Sequence, residues 1–217
     1  MKYIIIPFGG GNKFLYESAK AFFPDGKELV SYDLPGRGSR VGELIETDMD
    51  KVINDFFDQM SADLDGSYCL YGHCLGGILS FAIARACRIR GVRLPSQLFI
   101  SGAKAPSLFL KSDGPLPEID VEFFLINSGV PEPLVSNDSF MDMMRPIVTA
   151  DFRMYVGYQY EPQEPIDVPI NLLVEHAEEL DETVQLWQHE TTEPLRIHRI
   201  QNAKRLSQEV VEVFLSP

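Results

Sequence analysis

A chain of 217 residues, 45% apolar and 24% charged, is long enough for one domain with its own hydrophobic core. Its formal charge of −13 argues against nucleic acid or an anionic membrane as partner, because both call for a concentrated positive surface. No apolar run approaches the roughly 20 residues that span a bilayer, and the stretch Tyr3–Ile6 is too short for a signal peptide, so a cytoplasmic monomer is the expectation.

Short runs rich in β-branched and aromatic residues recur at Tyr3–Ile6, Glu28–Tyr32, Tyr68–Tyr71, Gln97–Ser101, Ile170–Val174 and Leu195–Ile200, and each reads as a buried strand. Helical periodicity lies between them. Asp50–Met60 places Val52, Ile53, Phe56, Phe57 and Met60 on one face, and Ile78–Ile89 does the same with Ile78, Leu79, Ala82, Ala86 and Ile89. Alternation of strand and helix predicts an α/β fold with a mostly parallel central sheet and helices on both faces. The alternation breaks at about residues 113–165, where prolines punctuate helical pieces such as Val121–Asn127 and Ser139–Val148. This reads as a helical lid insertion within a single domain, its Phe and Met residues supplying adaptable apolar surface. A last helix is expected at Gln208–Leu215.

Three cysteines, Cys69, Cys74 and Cys87, show no paired spacing of the metal-binding or disulfide kind, and no metal is expected. One of them has an unusual setting. Gly72-His73-Cys74-Leu75-Gly76-Gly77 follows an apolar strand and opens a helix, the strand–turn–helix context of a nucleophile elbow, with cysteine where serine usually stands. Glycines at the flanking positions let the chain double back without clashes. The helix N-terminus beneath Cys74 would favour a thiolate and a tetrahedral oxyanion. Leu75 N–H is one candidate oxyanion donor, and the glycine-rich turn Pro7–Gly11 supplies Phe8 and Gly9 as the others. His73 reads as a packing or hydrogen-bonding residue, because elbow geometry turns the neighbours of the nucleophile away. His189 and His198 read as solvated or satisfied groups.

These motifs resemble the type II, or external, thioesterases of nonribosomal peptide and polyketide synthesis, which share the α/β-hydrolase fold. Pro7-Phe8-Gly9-Gly10-Gly11 is similar to the family's P-[FY]-A-G-G, and Leu34-Pro35-Gly36-Arg37-Gly38-Ser39-Arg40 to its L-P-G-R-G-x-R. Gly72–Gly77 resembles G-H-S-M-G-G, Ser101–Pro106 resembles S-G-x-x-A-P, and Ala150-Asp151-Phe152 with Tyr158–Pro169 resembles the exit from the lid. The resemblance spans essentially the whole chain. It implies removal of acyl groups from the phosphopantetheine arm of an acyl or peptidyl carrier protein, with no cofactor of the enzyme's own.

Two departures stand out. The family's G-G-H-F after the last strand is replaced by Gln201-Asn202-Ala203-Lys204-Arg205, so Lys204 falls where the catalytic histidine should be. After the preceding strand, where the family carries its acid, stands His176. Resemblance and departures together predict Cys74 as a thiolate nucleophile aided by His176 or by the charge of Lys204. A thiol tolerates such a loss better than a hydroxyl, because it starts from a pKa of about 8.5. Two alternatives follow from the missing histidine: an acyl or aminoacyl transferase between carriers, and a carrier-binding protein that has lost catalysis. The segment Gly66–Ser112 carries six bases and no acid, which predicts a docking face for an acidic carrier.

Overall fold

The computed structural model describes residues 1–109, 116–176, 182–202 and 206–216. Among them six strands form one sheet: β1 (Lys2–Ile6), β2 (Glu28–Ser31), β3 (Tyr68–His73), β4 (Leu98–Ser101), β5 (Ile170–Glu175) and β6 (Arg196–Ile200). Their order is β2-β1-β3-β4-β5-β6, and every pairing is parallel. The expected α/β-hydrolase architecture is what the chain adopts.

Alternation along the strands divides the core in two. Ile4, Ile6, Tyr68 and Leu70 face α1 (Met49–Leu64) and α2 (Leu75–Arg90), meeting Val52, Phe56, Ile78 and Leu79. Their neighbours Tyr3, Ile5, Cys69 and Tyr71 face the opposite way. There they meet Tyr16 from a run of 3₁₀ turns at Lys13–Phe22 and Val210, Val211 and Phe214 of the terminal helix Gln208–Leu215. The Phe214 ring lies 4.5 Å from that of Phe99 and 5.2 Å from that of Tyr71. Asp48 caps α1 by accepting the Asp50 and Lys51 N–H groups, and Gly91, in a left-handed conformation at φ 65°, ends α2.

Between β4 and β5 come α3 (Val121–Asn127), α4 (Glu132–Val135) and α5 (Asp138–Val156). The prolines punctuate this region less than expected, because α5 continues through Pro146 for ten residues more. Its buried face, Met141, Ile147, Val148, Ala150, Asp151 and Met154, outweighs the hydrogen bond that proline removes. Two shorter helical pieces follow β5: α6 (Glu182–Gln185) and a 3₁₀ turn at Leu186–Glu190, so the terminal helix is α7.

The join between β3 and α2 is the tightest point of the fold. A Cβ on Gly76 would lie 2.2 Å from the Ile6 carbonyl oxygen, and one on Gly72 would lie 2.0 Å from the Gly76 backbone. In both cases the obstacle is main chain, which cannot move aside without shifting the sheet. Gly76→Ala is therefore expected to cost about 3 kcal/mol in urea unfolding. A loss below 1 kcal/mol would show that β1 and α2 are not in this contact.

Candidate active site

Cys74 sits between β3 and α2 with φ 52° and ψ −116°, and among the described residues it alone combines a side chain with positive φ. Such a conformation costs about 1–3 kcal/mol and persists only where the surroundings enforce it. Here Cys74 N–H donates to Ser101 O at 2.8 Å, while its own carbonyl accepts from Gly77 N–H and Ile78 N–H at 3.0 and 3.2 Å. The expected nucleophile elbow is thus present in its backbone geometry. Cys69 and Cys87 are buried filler.

Cys74 lines a cavity of about 180 Å³ together with Phe8, Gly9 and His73 from the strand ends and Phe124, Asn127 and Ser128 from the α3 region. The cavity is roofed by α3. A groove of about 1030 Å³ elsewhere, lined among others by Ile53, Ala86, Arg90 and Gln163, shares no lining residue with it.

The loop after β1 is held in place by charge. Gly10 N–H donates to the Asp151 carboxylate at 2.6 Å, and Gly11 N–H donates to Phe8 O at 2.8 Å. With those two N–H groups committed, Phe8 and Gly9 are the residues of this loop that line the Cys74 cavity. Asp151, 1% exposed, is gripped through both oxygens by the Arg37 guanidinium, 2% exposed, with Nη2 at 2.7 Å from Oδ1. Arg37 in turn belongs to a turn pinned by buried Asp33, which accepts Ser39 N–H at 2.8 Å and Lys13 N–H at 2.7 Å. A side chain at Gly38 would collide with that carboxylate, its Cβ 2.3 Å from Oδ2.

The Cys74 thiol does not behave as the helix N-terminus alone suggests. Burial pushes its pKa up, the Leu75 N–H works against that rise, and the Asp151 charge adds to it. The helix N-terminus alone would make this thiol more acidic, and the desolvation of its buried position outweighs the Leu75 amide.

The expected helpers are placed as follows. Lys204 lies outside the described residues. His176 is exposed on the turn after β5, its N–H bonded to Ile200 O at 2.9 Å, and it is not among the residues lining the Cys74 cavity. His198 lies on β6 with Nε2 3.0 Å from Asn171 Oδ1, and burial, helped by Arg196, holds its pKa below the usual range. His73, read from the sequence as a packing or hydrogen-bonding residue, has Nδ1 2.9 Å from Ser101 Oγ and is also among the residues lining the cavity. It continues the β3 face of Cys69 and Tyr71, and at the strand end its ring stands against Phe8, edge to face with centroids 6.2 Å apart.

The predicted docking face does not hold together. Arg85 donates to Glu161 O at 2.7 Å and Arg88 to Pro165 O at 2.9 Å, so both fasten the chain returning from α5. Arg90 lies over the Phe57 ring at 4.2 Å, at the end of α2 remote from Cys74. Sixteen helical residues separate the ends of α2 by about 24 Å. All three sit in the C-terminal part of α2, away from Cys74 at its start.

Comparisons with known proteins agree with this geometry. The family described as "Thioesterase domain" matches residues 2–214. The gramicidin S biosynthesis protein GrsT of Aneurinibacillus migulanus is 29% identical over 173 residues, 78% of this chain and 68% of that protein. The phenyloxazoline synthase MbtB of Mycobacterium tuberculosis is 27% identical over 172 residues, but those cover only 12% of its length. Among solved structures, RedJ, a thioesterase from the prodiginine pathway of Streptomyces coelicolor, superposes with a TM-score of 0.82 at 25% identity, covering 94% of this chain and 82% of RedJ. The type II thioesterase YbtT of the yersiniabactin pathway, at 23% identity and a TM-score of 0.79, shares the fold, with 98% and 89% covered.

Two outcomes are expected from the electrostatics. Arg37→Gln leaves the Asp151 carboxylate buried without its partner and should lower unfolding stability by about 3–5 kcal/mol, read by urea denaturation. Iodoacetamide labelling of Cys74 should have its pH midpoint above the ordinary thiol value of about 8.5, and should run slower at pH 7 than labelling of a free thiol. A midpoint below that ordinary value would mean that an opposing charge, not burial, governs the thiol.

Proposed function

The chain belongs to the thioesterase family, and on that premise we propose that it removes acyl groups from the phosphopantetheine thiol of a carrier protein in nonribosomal peptide or polyketide biosynthesis, through an acyl-enzyme on Cys74. The observation that carries this reading is the strained backbone of Cys74 at the mouth of a cavity lined by Phe8 and Gly9. A reacting carbonyl placed over Sγ would meet the N–H groups of Leu75 and of the Phe8–Gly9 turn, which are the donors an oxyanion needs.

The names of several relatives support the setting. GrsT is called a gramicidin S biosynthesis protein, and ClbQ, 24% identical, comes from the colibactin pathway of mixed nonribosomal peptide and polyketide type. The volume of the cavity speaks to substrate size. At about 180 Å³ it falls below the roughly 300–1,000 Å³ of pockets for drug-sized ligands, which suits a short acyl group while α3 stays where it is.

Chemistry would begin with the Cys74 thiol losing its proton, because a thiol held up by burial attacks poorly as it stands. Sulfur then adds to the thioester carbonyl, the oxyanion collapses, and the pantetheine sulfur leaves with a proton. The acyl group passes next to water, or to a second pantetheine thiol if the enzyme is a transferase.

The test is intact-mass measurement after mixing the protein with a carrier loaded with a short acyl group. The wild type should gain the acyl mass and Cys74→Ala should not, with turnover at least about 100-fold lower. Binding of the carrier without acyl transfer or deacylation, for each of several acyl groups, would leave a carrier-binding protein that has lost catalysis as the better account.

A further inference from the structure

We infer that Phe124 sets the length of the acyl group that Cys74 accepts, an inference that rests on the acyl-enzyme reading above. Among the described residues, two large apolar side chains line the Cys74 cavity, Phe8 and Phe124. Phe8 belongs to the body of the domain: it packs against the core around Tyr71 and Phe214, and its ring stands edge-on to His73. Phe124 belongs to the lid, where it packs against a separate small core that includes Val121, Leu125 and Val148. One wall is therefore fixed by the sheet, and the other carries a single aromatic ring on a short helix.

α3 gives its residues three different surroundings. Phe124, Asn127 and Ser128, spaced at i, i+3 and i+4, line the cavity. Val121 and Leu125 are buried in the lid core, whereas Phe123 and Ile126 are 66% and 43% exposed. Turning α3 so that the ring swings clear of the cavity would pull Val121 and Leu125 out of that core, which the burial of their apolar surface opposes.

Main chain stops the ring as well. Its Cζ lies 3.9 Å from where a Cβ on Gly9 would fall, and its Cε1 lies 3.9 Å from where one on Gly10 would fall. Gly10 has φ 81°, and its N–H is held by the buried Asp151 at 2.6 Å, so the loop does not give way. The same point on Gly10 is 3.0 Å from Val148 Cγ2 and 3.5 Å from Met144 Cε. The side chains that meet Phe124 at this loop are thus apolar, and both come from α5. Shortening Phe124 opens room bounded by them, and such room suits alkyl carbon. A methylene that finds apolar room gains about fourfold in affinity, whereas one that meets a packed ring loses about tenfold or more in kcat/KM.

The measurement is the rate at which Cys74 is acylated by N-acetylcysteamine thioesters of butyryl, hexanoyl and octanoyl groups, followed by intact mass. The wild type should take octanoyl at least about tenfold more slowly than butyryl. Phe124→Ala should raise the octanoyl-to-butyryl ratio about tenfold or more, while Phe123→Ala, which removes the exposed ring next to it, should keep the wild-type ratio. Phe124→Trp should act in the opposite sense and lower the hexanoyl-to-butyryl ratio about tenfold, and it stands as the second variant if Phe124→Ala does not fold. A ratio in Phe124→Ala within about threefold of wild type, or an equal rise in Phe123→Ala, would show that the size of this ring does not set the limit and would leave the acyl-enzyme reading intact. A wild type that takes octanoyl as fast as butyryl would do the same. No acyl mass on the wild type from any of these thioesters would overturn both readings together.

Discussion

A carboxylate and a guanidinium, both almost wholly out of water, tie together three parts of this chain that are far apart in sequence. Asp151 comes from the middle of a long helix, Arg37 from a turn after the second strand, and Gly10 from the loop after the first. Bringing two charges into a low-dielectric interior costs several kcal/mol per ion, repaid only where the geometry is good and the remaining lone pairs are used. Here the Asp151 oxygens accept two N–H donors from Arg37 and one from Gly10. Stability by itself does not call for such a pair, since apolar residues could fill the same volume. What it provides is register: with Gly10 committed, the loop has one way to present Phe8 and Gly9 to the cavity.

The same pair reaches the chemistry. Its carboxylate adds to the rise in the Cys74 pKa, so the group that orders the loop after β1 also disfavours a resting thiolate. Order and reactivity thus pull in opposite directions at this sulfur. A thiolate held permanently would attract oxidants and metals, whereas a thiol that ionises only as it reacts needs a base close by. Among the described residues His73 is the histidine that lines the same cavity, its ring set against Ser101, Gly102 and Phe8.

Much of this was legible in the sequence, for identifiable reasons. Strands buried on both faces show as short apolar runs, and the elbow shows as glycines at fixed offsets, because each is set by contacts local in the chain. Arg37 and Asp151 both fall in recognisable motifs, but 114 residues part them, and their union is a tertiary fact. The cluster of bases misled because composition carries no direction: Arg85, Arg88 and Arg90 lie at the end of α2 away from Cys74, and two of them bind backbone carbonyls. The setting of His73 was legible only in part: its ring packs against Ser101 and Phe8 as a neighbour of an elbow nucleophile should, but the room for it comes from Gly102, just past the end of β4, which carries no Cβ to block the ring.

The two halves of a thioesterase reaction ask different things of a site. Acylation starts from a thiol, whose ordinary pKa of about 8.5 lies within reach of an imidazole. Hydrolysis of the acyl-enzyme starts from water, with a pKa near 15.7, and demands a base placed on the attacking side. An incoming thiol asks much less of the site than water does, so the balance between hydrolysis and transfer rests on what the incoming nucleophile brings with it.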